Sequence, residues 1–352
     1  MNFMPRSFLE MAKLDSKSIN SIVSEFKRNL FCGFRSQILN KKYDHFLTSY
    51  RLIIRILTES QLMGVATLSR LVDQDYLGGN ALVALLAEVG KISPKALICG
   101  DFPDVRPIAI RALARSFNRP YETMRRALRR LSEQGWVELR DDGVTLHKNA
   151  INDPRIHAYL MEMHDVMATL IDDIYGFAKM PPPAPPATLG SAPDPGVMVM
   201  GALDLHLLSA EGMQSVVVDW IDLMLIAAIS AGNIRDVTYH PELAFRYAGA
   251  DQIPPMALRR PVTLNALSET LPVSFTTAWR RVAVMKLTGL VVSIEGGLVL
   301  QSRWYGHGTM IANGCDRIER MFAILHRMAA SGVPMHDPAH LYRKGRVPPI
   351  AL

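Results

Sequence analysis

The sequence predicts a mainly α-helical chain with two small β-hairpins, an α+β protein built from two copies of one domain type. Three observations carry this reading. Residues 106–148 pass from a 3.6-residue to a two-residue hydrophobic period, in the order helix, turn, helix, hairpin. The same order returns 154 residues later. A proline-rich stretch at 180–196 separates the two copies.

Taken in order, residues 1–15 are expected to be a flexible leader. Helical patterns follow at 17–39 (Ile19, Ile22, Val23, Phe26, Leu30) and 43–59 (Phe46, Leu47, Tyr50, Ile53, Ile54, Leu57), each with mixed charge on its other face. A nearly all-apolar helix is expected at 81–89, with Gly78-Gly79-Asn80 breaking the chain before it and Gly90 after it. Ile110, Leu113, Ala114 and Phe117 then mark one face of a helix over 108–117. Asn118-Arg119-Pro120 makes the turn, since proline suits the first turn of a new helix. The next helix starts near Tyr121, buries Met124, Ala127, Leu128 and Leu131, and ends at Gly135 as a C-cap. Residues 136–139 and 144–147 read as strands joined by a turn at Asp141-Asp142-Gly143. A stripe from Ile156 to Ile174 predicts a helix over 154–177, about 36 Å long. It packs either within the chain or against a second protomer.

The prolines of 180–196 stop helix propagation and favour an extended spacer. Beyond it, residues 107–146 align with 261–300 without a gap. The matches include Thr123/Thr277, Arg126/Arg280, Gly135/Gly289 and Gly143/Gly297. The flanks repeat too: an apolar helix at 222–231 answers 81–89, and one at 310–330 answers the long helix. The second copy has a longer loop before its repeat unit, through Tyr239-His240-Pro241 and Ile253-Pro254-Pro255. The expected organisation is 16–179, an N-terminal helical region with the first unit; 180–196, the linker; 197–332, the second unit; and 333–352, a basic, proline-rich tail lying along a surface.

Residues 123–131 followed by Gly135-Trp136-Val137 resemble the recognition helix and wing of bacterial winged helix-turn-helix regulators of the GntR and MarR types. The resemblance implies two tandem winged helix-turn-helix domains with long flanking helices, recognition helices at about 121–134 and 275–288, and double-stranded DNA as partner. A single α-helix fits the major groove, and residues near its start reach the base edges. In the first copy that set is Tyr121, Glu122, Thr123, Arg125, Arg126 and Arg129. Arg111, Arg115 and Arg119 suit phosphates, and Arg140 and Lys148 lie on the wing. Asp141 and Asp142 at the wing tip depart from the basic tip of many relatives. In the second copy Ser274 is placed to cap its helix, and Ser274, Phe275, Thr276 and Thr277 resemble the start of a GntR-type recognition helix. Trp279 stands where the first copy has Arg125, with Arg280 beside it. Exposed aromatics there suit either DNA or a protein interface.

Charge agrees with that division. The chain carries 39 Lys+Arg against 33 Asp+Glu, and residues 106–148 alone hold ten against five. Three distant cysteines, Cys32, Cys99 and Cys315, make no disulfide framework. The N-terminus lacks the apolar core of a signal peptide. The most apolar run, 215–231, is interrupted by Asp219 and Asp222 and reads as a buried helix rather than a membrane span. A soluble, cytoplasmic, nucleoid-associated protein is expected. No phosphate loop, nucleophile elbow or HExxH motif is present, and the pairs His336/His340 and His157/His164 make poor metal sites, so no enzyme, cofactor or metal is expected. The reading is a transcriptional regulator, with possible dimerisation through the long helices. Three alternatives share the sequence: a plasmid or phage replication initiator, a protein-interaction module using the second unit, and a small-molecule sensor, for which no polar cluster defines a ligand.

Overall fold

The computed structural model describes residues 47–72, 75–100, 102–184, 194–211 and 219–352. The leader, the helical pattern at 17–39, the start of that at 43–59 and most of the linker lie outside the described residues. The element order is α1 (Tyr50–Val72), α2 (Tyr76–Ile92), α3 (Ala96–Cys99), α4 (Ile110–Ser116), α5 (Tyr121–Glu133), β1 (Val137–Arg140), β2 (Gly143–Leu146) and α6 (Pro154–Ile171), which continues into a π-helical turn, Asp172–Phe177. Then come α7 (Gly196–Glu211), α8 (Trp220–Tyr239), α9 (Pro241–Arg246), α10 (Leu264–Thr270), α11 (Phe275–Leu287), β3 (Val291–Ile294), β4 (Gly297–Leu300), α12 (Ser302–Tyr305) and α13 (Gly308–Ala330).

The 154-residue offset holds element by element. α4 and α10, α5 and α11, β1 and β3, and β2 and β4 all begin and end at matching positions. Both hairpins are antiparallel, pairing Val137 with Leu146 and Val291 with Leu300. Each is extended by a bridge to the segment before its first helix, Ile108 to Val144 and Val262 to Leu298. The glycines explain why sequence identity survives where it does. Gly135 and Gly289 take φ of 74° and 66° to leave the helix. Gly143 and Gly297 take φ of 154° and 146°, and a Cβ there would lie 2.4 Å from the Ile108 carbonyl oxygen and 2.5 Å from that of Val262. Gly143→Ala and Gly297→Ala are therefore each expected to cost about 1–3 kcal/mol from backbone strain alone. Denaturant melts of the two variants check this; a cost below about 0.5 kcal/mol at either position would show that the bridge gives way freely.

The two copies share one hydrophobic core. Their contacts are reciprocal. Within copies, α1 packs on α6 as α7 packs on α13. Between copies, α2 meets α7 as α8 meets α1, and α6 meets α7 as α13 meets α1. That reciprocity is the signature of an isologous pair, here formed inside one chain. The spacing of the two units is thus set by shared packing. The stripe of α6 is buried within the chain, from Ile156 to Ile174.

Four local expectations need correction. Gly78, Gly79 and Asn80 do not break the chain; they lie inside α2, which Asp75 caps by accepting the Gly78 N–H. The two glycines make room for their neighbours: a Cβ on Gly79 would sit 3.0 Å from Leu68 and Val72 of α1, and one on Gly78 would meet the capping Asp75 side chain. Gly90 likewise lies within α2, where Leu97 and Met200 leave no room for a side chain. The stretch after Tyr239 is not all loop, because His240 caps α9 through its ring nitrogen. Helix α7 was not anticipated; its core-facing residues, among them Met198, Val199, Ala202, Leu203 and Leu205, are spread around the helix rather than along one stripe. Among the described residues one helix, α1, is long and apolar enough to cross a membrane, but 83% of its most apolar window is buried inside the protein.

The tail does lie along the surface, and it is fastened there. The Asp165 carboxylate of α6 accepts backbone N–H bonds from Arg343 (2.9 Å), Lys344 (2.7 Å) and Gly345 (3.2 Å). Burial alone would push the Asp165 carboxyl up, but these donors and His164 hold it below the usual range. Arg346 pairs with Asp172 and Asp173.

His206 on α7 supplies a pH dependence. It is 1% exposed, and burial pulls its pKa down to about 4. Its Nε2 donates to Asn80 Oδ1 at 2.9 Å. A histidine held neutral by the fold contributes stability above its unfolded pKa, roughly 6.5. That contribution is lost as pH falls toward the folded value. Acidification from about pH 6.5 to 4 should thus remove on the order of 3 kcal/mol. Asp222, pushed up to about 6 by burial, acts in the opposite sense over part of this window. The comparison that isolates His206 is the pH slope of unfolding midpoint in the chain against His206→Gln; equal slopes would refute the assignment.

Candidate nucleic-acid interface

The first unit is built to present one face of α5. Met124, Ala127, Leu128 and Leu131 are buried, which turns the intervening positions outward. Asn118 closes the turn in the left-handed region at φ 49°. Trp136, 1% exposed, locks the hairpin beneath the helix: its Nε1 donates to Asp153 Oδ2 at 2.8 Å, and the Arg155 guanidinium lies 4.7 Å from its ring centroid. Asp153 also caps α6 by accepting the Arg155 N–H. The Arg155 side chain, against the cost of burial, holds the Asp153 carboxyl well below the usual carboxylate range.

On the outward face the expected residues divide into committed and uncommitted groups. Tyr121, Glu122, Thr123, Arg126 and Arg129 are exposed, as are Arg111 and Arg115 on α4 and Lys148 after the hairpin. Arg125 is half-buried and pairs with Glu122 at 2.9 Å, and Arg140 pairs with Glu138 at 3.0 Å. The Arg111 guanidinium stands 5.9 Å from the Tyr121 ring centroid. Arg130 is tied to Asp75, the cap of α2. Among the described residues Arg115, Arg126 and Arg129 have no ion pair, so their charge faces solvent. Asp141 and Asp142 at the hairpin turn are exposed.

Arg119 departs from its expected place. It is half-buried, turned toward the second copy, where it reaches Asp219 at 3.6 Å and lies 6.0 Å from the Trp220 ring centroid. Asp219 is the cap of α8 and also holds Arg281 of α11 at 2.6 Å. One carboxylate therefore joins the turn of the first unit to the second unit's α11. Spacing within one unit could not reveal this link, because it crosses between the copies.

In the second unit Ser274 caps α11 as expected, its Oγ accepting the Thr277 N–H at 3.3 Å. Phe275 occupies the position of Tyr121, and both aromatics are exposed, at 48% and 41%. Thr276 and Arg280 are exposed, while Thr277 and Trp279 are half-buried. Leu287 at the end of α11 and Ile294 on β3 are also exposed apolar side chains of this unit. Where the first unit has Arg125, Arg129 and Arg130, the second has Trp279, Ala283 and Val284. The histidine pairs do not converge: His157 is exposed, His164 is buried against Asp165, and His340 pairs with Asp337.

No protein-family model, no curated protein and no solved structure matches this chain.

Proposed function

We propose that the chain is a sequence-specific DNA-binding transcriptional regulator using two winged helix-turn-helix units held in one body. The observation that carries this reading is the contrast between the two units. The same backbone repeats, and on the first copy its outward helix face carries Arg126 and Arg129 without carboxylate partners among the described residues. Exposed, uncompensated arginines on a helix that fits the major groove are suited to phosphate contact and to bidentate guanine contact. The reciprocal arrangement of the copies supports two contact faces at fixed spacing. Selection of bound duplexes from a random pool, followed by titration of the best one at increasing salt, tests it. Enrichment of a defined site with a steep loss of affinity on adding salt is expected. Failure to enrich any sequence would refute specificity.

A second reading attaches to the second unit alone. Its exposed Phe275, Leu287 and Ile294 favour a protein surface over an anionic groove. Trp279→Ala separates the two roles: weaker self-association with unchanged DNA affinity assigns α11 to a protein interface.

A further inference from the structure

Between α1, α8, α13 and the turn of the first unit lies a cavity of roughly 170 Å³. Four arginines line it, Arg51, Arg55, Arg119 and Arg317, and no aspartate or glutamate does so among the described residues. The rest of the wall is largely aliphatic and aromatic, including Ile54, Leu62, Met224, Trp220 and Tyr305. Tyr76 and Trp220 stack there with ring centroids 4.3 Å apart.

The buried arginines are the unusual feature. Arg51 and Arg55 are only 5% and 6% exposed. Their guanidinium groups bond to backbone carbonyls alone: Arg51 to those of Ala250 and Tyr305, Arg55 to those of Arg51, Ala244 and Tyr247. The Arg51 Nε and one terminal nitrogen of Arg55 have no hydrogen-bond partner. Burial pulls the Arg55 pKa down to about 10 and lowers that of Arg51 as well. Burying a cation without a counter-charge is costly, and such sites are ordinarily paired. Asp251 acts on Arg51 through space, but no carboxylate is hydrogen-bonded to either guanidinium, and an anion in the cavity would supply that direct partner. The apolar wall sets the rest of the ligand. An apolar cavity of about 150 Å³ accommodates benzene, so this one suits a body of about one ring or a short acyl chain.

We propose that this cavity binds a small monocarboxylate with an apolar body, its carboxylate directed to Arg51 and Arg55. Phe117, Asn118 and Arg119 of the first unit's turn form part of its wall. The apolar body of a ligand held at Arg51 and Arg55 fills the space against this turn, where Arg119 pairs with Asp219, and Asp219 also holds Arg281 of α11. Occupancy is thereby linked to both outward helices. The linkage rests on the DNA-binding reading above; the ligand site does not.

Benzoate and octanoate are the probes, titrated calorimetrically into the full chain with benzyl alcohol as the uncharged control. Binding of at least one carboxylate is expected, with benzyl alcohol weaker by about tenfold or more. Arg55→Met and the cavity-filling Ala227→Phe should each lower carboxylate affinity by about tenfold or more. Arg55→Met should still fold, because replacing a buried charge by an apolar side chain of similar size is often neutral; a thermal melt of both variants confirms this. No heat from either carboxylate, or equal affinity for benzyl alcohol, overturns the site. If a carboxylate binds but leaves affinity for the selected duplex unchanged, the linkage is overturned and the site stands. If no duplex is bound at all, the DNA reading fails, and the titration still decides the site.

Discussion

Replacing Arg126 and Arg129 together by alanine should lower affinity for a selected duplex by on the order of 100-fold or more, since hydrogen bonds to charged groups contribute about 1.5–3 kcal/mol each. The logarithmic salt dependence should also flatten by about two ion equivalents. These two side chains are chosen because they are exposed and have no ion pair among the described residues. Arg125→Ala should have a smaller effect, since Arg125 already faces Glu122 at 2.9 Å and gives up that pairing on binding DNA. Removing Glu122 instead should raise affinity by freeing Arg125. Filter or anisotropy titrations at three salt concentrations measure both quantities. An unchanged slope in the double variant would mean that α5 does not face the phosphates, whatever happens to affinity.

The largest expected loss of stability is at Trp136. Trp136→Ala should cost about 3–5 kcal/mol, the range for removing a large buried aromatic. The residue fills the space under α5, bonds Asp153 and carries the Arg155 guanidinium on its ring. Trp136→Phe keeps most of the volume and deletes the hydrogen bond to Asp153, so it should cost about 1–2 kcal/mol. The second copy has Leu290 at the equivalent place, also buried, and manages without that bond. Urea unfolding followed by far-UV circular dichroism reports both costs. A loss below about 1 kcal/mol for the alanine variant would show that the hairpin is not anchored through this side chain.

The repeat was legible because its marks are backbone demands. A left-handed exit after a helix and a turn pressed against a carbonyl both require glycine, so Gly135/Gly289 and Gly143/Gly297 persist while surface residues diverge. The amphipathic helices α4 and α5 were legible for the usual reason, one buried face each, and α6 by its apolar stripe, although from Met163 to Ile171 it is buried on every side. What failed to show were features created by the second copy. Arg51, Arg55 and Glu59 belong to the mixed-charge face of the 43–59 pattern, yet the 244–250 stretch and Tyr305 cover the two arginines, and Glu59 ends against Arg235 of α8 at 2.7 Å. Gly79 and Gly90 of α2 read as breakers because the close approach of α1 to the one and of Leu97 and Met200 to the other is a tertiary fact. Helix α7 has no single apolar stripe because it is surrounded by α1, α2, α6 and α13. The outward arginines were found as a group, but Arg119 was misplaced, since its partner Asp219 is 100 residues away in sequence.

The reciprocal packing has a consequence for mass action. A pair of separate subunits comes apart on dilution, and its melting temperature follows protein concentration. Here both halves of the contact belong to one polypeptide, so the pairing is a unimolecular equilibrium and dilution leaves it intact. A substitution in one half is also not imposed on the other, as it would be in a homodimer. Arg125 and Trp279, standing at the same place on two copies of one scaffold, are the visible product of that independence.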